Sequence, residues 1–587
     1  MVLTPGLRFL TRQLVFPATL VIFVHRASTR SGLLRIPLAT AIVGTFFARI
    51  GLFILRNVVA NIQHRREARR LGARPLPYLS GKKFGNFDFI ERILHEAEHG
   101  YLGDELRAVQ AKLGQIVNIW PLWENHIFTT EPAHIQAILA TDFNNNIKGE
   151  RFKNGMESVL GTGVFNSDGD LWSFHRSMSR PYFSRDRVRH FEIFDRHATQ
   201  AISLIKQRMR EGLAVDFQEL ISRFTMDSAT EFLFGESVDS LEASLAYPHN
   251  LPSSFVIPNN TQDSPRAQAA IRFTTAFGQA LTHLAFRERT GWIWPLYEIF
   301  EDATAKPMAI VAGYLDPIIQ RAVDRGRNEN EPNMEDDEMT LLDDLVKSTS
   351  DAKILKDEIL NILLAGRDTT MSGLTSTIYF LARHPNVLSR LRGEILDCIG
   401  PTNAPTYDDI KKMKYLRAVL NETMRIYPPV PFNVRETVNA TVWPSPDPAQ
   451  RPIYIPGRTP ISYSVMLMHR RKDLWGEDAE EFDPDRFIDE RLQKYLVSNP
   501  FQFLPFNAGP RICLGQQFAY NEMSFVLVRL LQHFSSIKLD PEAAPPAARV
   551  PESWKGQPGR KGIELFIPES NLTLYAKGGM WVKMGQV

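Results

Sequence analysis

The segment Phe506-Asn-Ala-Gly-Pro-Arg-Ile-Cys513-Leu-Gly515 constrains the fold more than any other stretch of the chain. Glycine and proline shape a loop here, and a helical pattern begins just after it, near Gln516. Cys513 therefore stands at a helix entrance beside Arg511, where the helix dipole and the guanidinium favour its thiolate. Gly509 and Gly515 permit tight turns and a close backbone approach to a flat ligand, and Phe506 is placed to shield the sulfur. A lone cysteine before a helix is equally compatible with an inert, buried thiol. Cys398 fits that plainer description, because it lies in the helical stretch Leu391–Ile399 without such surroundings. With 2 cysteines in 587 residues there is neither a disulfide framework nor a cysteine-rich zinc site. That usage suits a reducing compartment.

Such a loop needs a framework, and the chain has one: 44% hydrophobic and 23% charged residues are ordinary for a large buried core. The formal charge of +2 excludes a general nucleic-acid binder, which carries a basic excess. The sum hides an asymmetry. Residues 1–74 hold 12 arginines, no lysine and one acid, Glu67, for a charge of +11, leaving −9 on the other 513 residues.

This leader contains two apolar runs. Leu14–Val24 is 11 residues long and includes Pro17, short for a membrane crossing. The second runs from Ile36-Pro37 to Leu55, about the ~20 residues that a bilayer helix requires, with Arg49 inside it. A secretory signal would need one apolar region with a small-residue cleavage site. A mitochondrial transit peptide would be amphipathic. A retained anchor, as one helix or as a hairpin, fits the hydropathy and the flanking charge. With two crossings, Arg8, Arg12 and six later arginines face Arg26, Arg30 and Arg35 across the membrane. With one crossing the split is six against five, so charge mildly favours the hairpin while the shortness of the first run opposes it. Pro75-Leu-Pro77 reads as a stiff hinge, which divides the chain into an anchor with basic linker, 1–74, and a soluble domain, 75–587.

Beyond the hinge, Ile116–Thr130 has the mixture of β-branched, aromatic and polar residues expected of a small sheet. Most of the remainder reads helical. Residues 352–383 form one long helical pattern with Ile354, Leu355, Ile359, Ile362 and Leu363 on one face. Glu329–Glu338 reads as a solvated acidic loop. Pro428–Pro460, with short extended runs such as Ile453-Tyr-Ile455, predicts a second small β region. No G-x-G-x-x-G dinucleotide loop is present.

The pattern F-x-x-G-x-R-x-C-x-G of residues 506–515 resembles the haem-binding loop of the cytochrome P450 family at every fixed position. Four further segments are similar to the family in the expected order. Trp172-Ser-Phe-His-Arg176 matches a W-x-x-x-R pattern that binds a haem propionate, and Arg435 and Arg511 are the implied further propionate partners. Ala365-Gly-Arg-Asp368-Thr369-Thr370 resembles the oxygen-activation segment, in which Asp368 and Thr369 relay protons. Taken alone, these would be an exposed acid with hydroxyls bonding back to the helix. Glu422-Thr-Met-Arg425 looks like the E-x-x-R pair. With Arg486 of Pro484-Asp-Arg-Phe487 it implies a buried triad that serves folding and not catalysis. His175 and His469 are read as structural.

The resemblance covers about residues 75–580 and is most like the fungal membrane-bound alkane and fatty-acid hydroxylases. It implies a mainly α fold with small β sheets, and haem b ligated at its iron by Cys513 and held by Trp172, Arg176, Arg435, Arg511, Phe506 and Gly515. The implied reaction inserts one oxygen atom of O2 into a C–H bond of an apolar substrate. Electrons would come from NADPH through a separate cytochrome P450 reductase, with cytochrome b5 as a further donor, at the cytosolic face of the endoplasmic reticulum membrane. Arg180, Arg185, Arg187 and Arg189 form either a docking face for that reductase or a solvated charge run. Phe255, Val256 and Ile257 with Ala280–Phe286 are a region for an apolar mouth, or plain core. Two rival classes remain open at this stage: a haem-thiolate isomerase or dehydratase, which tends to lack the acid–threonine pair, and a non-enzymatic haem sensor.

Overall fold

The 3.6-residue apolar period of residues 352–383 produces a single helix, Ala352–Arg383, in the computed structural model, which describes residues 3–31, 37–183, 189–252, 255, 263–327 and 339–586. The Asp351 carboxylate caps it by accepting the Lys353 and Ile354 amides. At about 1.5 Å per residue the helix is close to 50 Å long, enough to cross the whole body. Leu355, Ile359 and Leu363 of the expected apolar face are fully buried. The long helix packs chiefly on Phe217–Phe234, and also on Lys414–Ile426 and Gln516–His533. The fold is mainly α with small sheets, as expected.

The two β regions expected from the sequence merge. Ile116–Asn118, Ile127–Thr129, Pro460–Ser464, Phe432–Thr437 and Asn146–Ile147 lie side by side in that order as one five-stranded sheet. The bridging contact is parallel, Ile127 opposite Ile461. Pairing at such sequence separation is set by tertiary packing, which local patterns do not carry. Thr441–Trp443 and Ile453–Ile455 form a separate antiparallel hairpin. The acidic stretch Glu329–Glu338 lies outside the described residues.

The leader forms two helices, Pro5–Ser31 and Leu38–Arg70. The first continues straight through Pro17, so its length is not the 11 residues of its apolar run. Both helices are long and apolar enough to cross a membrane, with mean hydropathy 1.5 and 2.0. They pack on each other, and Arg49 donates to the backbone oxygen of Gln13 at 2.8 Å and to its Oε1 at 3.2 Å. Their outer ends both return to the body. Thr4 Oγ1 donates to the Ile299 carbonyl at 2.6 Å, and Tyr454 donates to Glu67 at 2.6 Å beside buried Ala68.

Glu422, Arg425 and Arg486 are fully buried together. Arg425 holds Glu422 through two hydrogen bonds of 2.7 and 2.8 Å, and Arg486 Nε lies 3.5 Å from the same carboxylate. Arg486 is held more closely by Asp478, at 2.8 Å. Removing one member strands a charge in a low-dielectric interior, which costs about 3–5 kcal/mol. Arg425→Ala should therefore lower the urea midpoint by that equivalent and yield protein without bound haem. A variant of unchanged midpoint would remove the triad from the folding account.

Candidate active site

One cavity of about 530 Å³ lies between the long helix and the Cys513 loop. The loop is fixed from behind. Cys513 donates its backbone N–H to the Phe506 carbonyl at 3.0 Å. Gly509 has φ +65°, and a Cβ there would fall 1.9 Å from the Leu139 carbonyl oxygen, so only glycine closes this turn. Gly515 is different: its φ is −85°, and a Cβ would meet only Phe183, at 3.7 Å. It lines the cavity, as do Phe506 and Cys513. Phe506 rests on the ring of Tyr520 at 5.1 Å.

The side of the cavity by Trp172 is crowded with cations. Lys148, Arg176, Arg435 and Arg511 all line it. Arg511 stacks over Trp172 at 4.6 Å and Arg176 at 5.8 Å. Arg511 donates to Asp168 at 2.9 Å and Arg176 to the Ile512 carbonyl at 2.9 Å. Arg435, brought in by the five-stranded sheet opposite Ile461, donates only to its neighbour's carbonyl, Val434, at 2.7 Å. Burial, with Arg435 and Arg511 close by, pushes the Lys148 ammonium well down. Burial and Arg435 push Arg511 down to about 10. The Nε of Arg511 is buried without a hydrogen-bond partner among the described residues. Cations forced this close, with an orphaned donor among them, call for an anionic ligand.

Lys148 is the residue that sequence reading missed. A single lysine leaving a two-residue strand has no spacing signal, and only the pairing of that strand with Phe432–Thr437 brings it near Arg435.

Burial in the cavity wall pushes the Cys513 thiol up, opposed by the Gly515 amide and by Arg176, while Arg511 is turned toward Asp168. The residue itself opens on the cavity.

On the opposite wall, Ala365, Gly366 and Thr369 face the cavity. Thr369 Oγ1 donates to the Ala365 carbonyl at 2.6 Å, back along its own helix. A Cβ added at Gly366 would find only Ala229, at 3.9 Å. Asp368 is buried but turned aside. It is paired with Arg367 at 2.9 Å, whose other nitrogen donates to Ser222 at 2.8 Å. Burial raises its carboxyl pKa, with Arg367 opposing. The structure thus places Thr369 in the cavity and Asp368 behind it.

These features coincide with a family assignment. The cytochrome P450 family model matches residues 84–552. The chain is 34% identical over 508 residues to the cytochrome P450 monooxygenase fsdH of Fusarium heterosporum, covering 84% of this chain and 83% of that one. It is 37% identical over 487 residues to cytochrome P450 52A10 of Candida maltosa, covering 80% and 86%. The chain belongs to the cytochrome P450 family. Membership makes it a monooxygenase of a haem-dependent class, and the cavity fits that group: a thiol in one wall, four cations and the Trp172 indole grouped to one side, and a mainly apolar lining elsewhere that also includes Glu96, Glu288, Arg289 and Glu358.

Other expectations fall as follows. His175 sits 2.9 Å from Glu358 in the core. His469 accepts the Leu504 amide at 2.9 Å, and burial with Arg425 nearby pushes it down to about 3, so it stays neutral. Cys398 is half-buried, and burial pushes its thiol up. Of Ala280–Phe286 only Ala285 lines the cavity. Val256, Ile257, Arg185 and Arg187 lie outside the described residues.

Lys148→Met removes a charge-assisted donor from the crowded side of the cavity. Haem transfer to an acceptor protein should speed up about tenfold, the scale of one such bond. An unchanged rate would exclude Lys148 from the site.

Proposed function

We propose that this protein is a membrane-bound monooxygenase that inserts one oxygen atom from O2 into a C–H bond of a long-chain apolar substrate, such as an alkane or fatty acid. The observation that carries this reading is the cavity itself: Cys513 and the cation set at its base, Thr369 above, and apolar walls from Phe152, Met156, Leu160, Phe232, Leu233 and Ile362. Such walls reward buried methylenes at about 0.8 kcal/mol each and offer few polar partners.

Haem b, held by Cys513 with Trp172, Arg176, Arg435 and Arg511, supplies reductive dioxygen activation when bound. The chain's own residues position, shield and move protons. The Thr369 hydroxyl faces the cavity and passes a proton inward. Asp368, protonated more readily because it is buried, stands behind it as the reservoir. Leu364, Val434 and Leu504 add apolar surface to the cavity.

The chain has no dinucleotide loop, so electrons come from NADPH through a separate reductase, with cytochrome b5 as a second donor. The body, residues 75–587, is held on the cytosolic face of the endoplasmic reticulum by residues 1–74. Contacts of both outer helix ends with the body support a hairpin that crosses twice. The Arg49–Gln13 hydrogen bonds give the guanidinium inside the second apolar run two neutral acceptors.

Two variants test this. Cys513→Ala should abolish both the thiolate-type absorption of the reduced carbon monoxide complex and NADPH-dependent product with added reductase. Retained product formation would end the reading. Thr369→Ala should still consume oxygen but release peroxide, lowering product per oxygen consumed by about tenfold. Undiminished coupling would take Thr369 out of the proton path.

A further inference from the structure

Segment 161–166, between the helices Gly149–Leu160 and Gly169–Ser179, is a loop whose successive backbone N–H groups are all engaged. Gly161, Gly163 and Asn166 donate locally, to the carbonyls of Glu157, Leu160 and Gly163 at 2.9, 3.2 and 2.9 Å. The other three amides are taken by side chains of the long helix. Thr162 donates to Asp357 at 2.8 Å, Val164 to Glu358 at 3.1 Å and Phe165 to Asn361 at 2.9 Å. Asn361 also donates back to the Leu160 carbonyl at 2.8 Å.

Positions 357, 358 and 361 share one face of a helix, and all three side chains are buried. A buried carboxylate or amide left without partners is costly, so each needs the loop as much as the loop needs it. The fit leaves no room for a side chain at positions 161 and 163. A Cβ at Gly161 would lie 2.0 Å from the Asp357 carboxyl carbon, and one at Gly163 would lie 2.3 Å from Asn361 Nδ2. Glu358 reaches further: it accepts Ser179 Oγ at 2.6 Å and lies 2.9 Å from His175, on the helix that carries Trp172 and Arg176. Val164 and Phe165, whose own amides are clamped, line the cavity.

We propose that Asp357, Glu358 and Asn361 are positioning residues that lock segment 161–166 onto the long helix, turning Val164–Phe165 into a fixed cavity wall that admits slender apolar chains and rejects broad ring systems. A wall held at its own backbone does not swing outward to admit a wide substrate. The selectivity half of this inference rests on the monooxygenase reading above; the locking half does not.

The test uses the haem-loaded full chain in lipid nanodiscs. Hydrogen exchange at amides 162, 164 and 165 is followed in the native protein, in Asn361→Ala and in Gly163→Ala. The second variant attacks the clamp from the loop and leaves the long helix intact, so it decides the matter if Asn361→Ala does not fold. Native amides should be protected, and both lesions should speed their exchange about tenfold, the scale of one hydrogen bond. Binding-difference spectra with dodecanoic acid and with pyrene are read in parallel. The native preference for dodecanoic acid should shrink about tenfold in either variant. Native amides that exchange as freely as in the variants would overturn the lock. Freed amides with an unchanged preference would overturn the wall's role in selection. Binding of neither probe by the native protein would count against the substrate reading alone, leaving exchange to decide the lock.

Discussion

A carboxylate sealed in the interior with two guanidiniums is the constraint on which the catalytic side of this protein hangs. Glu422 satisfies its oxygens with Arg425 and with the Asp483 amide at 2.9 Å. Arg425 has donors to spare and uses them on the His469 carbonyl at 2.8 Å and on that of Ala479. His469, kept neutral by burial, accepts the Leu504 amide. Leu504 in turn accepts the Asn507 amide at 3.2 Å, opening the loop that ends at Cys513. Most of these links are buried, so a break at Glu422, Arg425 or His469 leaves an unpaired polar group next in line. The position of the sulfur is therefore decided some ninety residues upstream.

Charge works at two scales. Over the whole chain it separates a +11 leader from a −9 body, and the leader's outer ends rest on that body at Ile299 and Tyr454. Inside the body the sign reverses locally. Lys148, Arg176, Arg435 and Arg511 share one side of the cavity, with Asp168 the carboxylate that hydrogen-bonds among them. A net charge of +2 conveys neither arrangement. One arrangement suits an anionic, apolar surface and the other suits carboxylates within a cavity.

Local signals read well where the chemistry is local. Residues 352–383 became a helix with those bounds, and Gln516 begins the helix after Cys513. The Glu422–Arg425 spacing gave a pair because i and i+3 always share a helix face. What stayed hidden depends on distant partners. Nothing in Ile127–Thr129 announces a parallel neighbour more than three hundred residues later. Lys148 acquires meaning only beside Arg435. For the Cys513 thiol, helix dipole and nearby arginine are visible in sequence, whereas burial, which pushes it up, is not. Asp368 was legible as an acid beside Thr369, but its turn toward Arg367 and Ser222 belongs to the packing of two helices.

The long helix explains why these pieces act together. Helices that cross an interior are usually apolar all round, yet this one buries Asp357, Glu358, Asn361, Asp368 and Thr370. Each costs free energy unless a partner is brought to it. Segment 161–166 is the partner of the first three, whereas Asp368 pairs with its own neighbour Arg367, which Ser222 of the helix Phe217–Phe234 accepts in turn. Polar burial thus fixes the position of the elements around the helix in a way that apolar contacts, being non-directional, do not. Cavity wall, the Asp368–Thr369 pair and the Trp172–Arg176 helix are all referred to one helix, two to three turns apart, which is how a fold with a largely apolar cavity sets the polar groups around it in a single geometry.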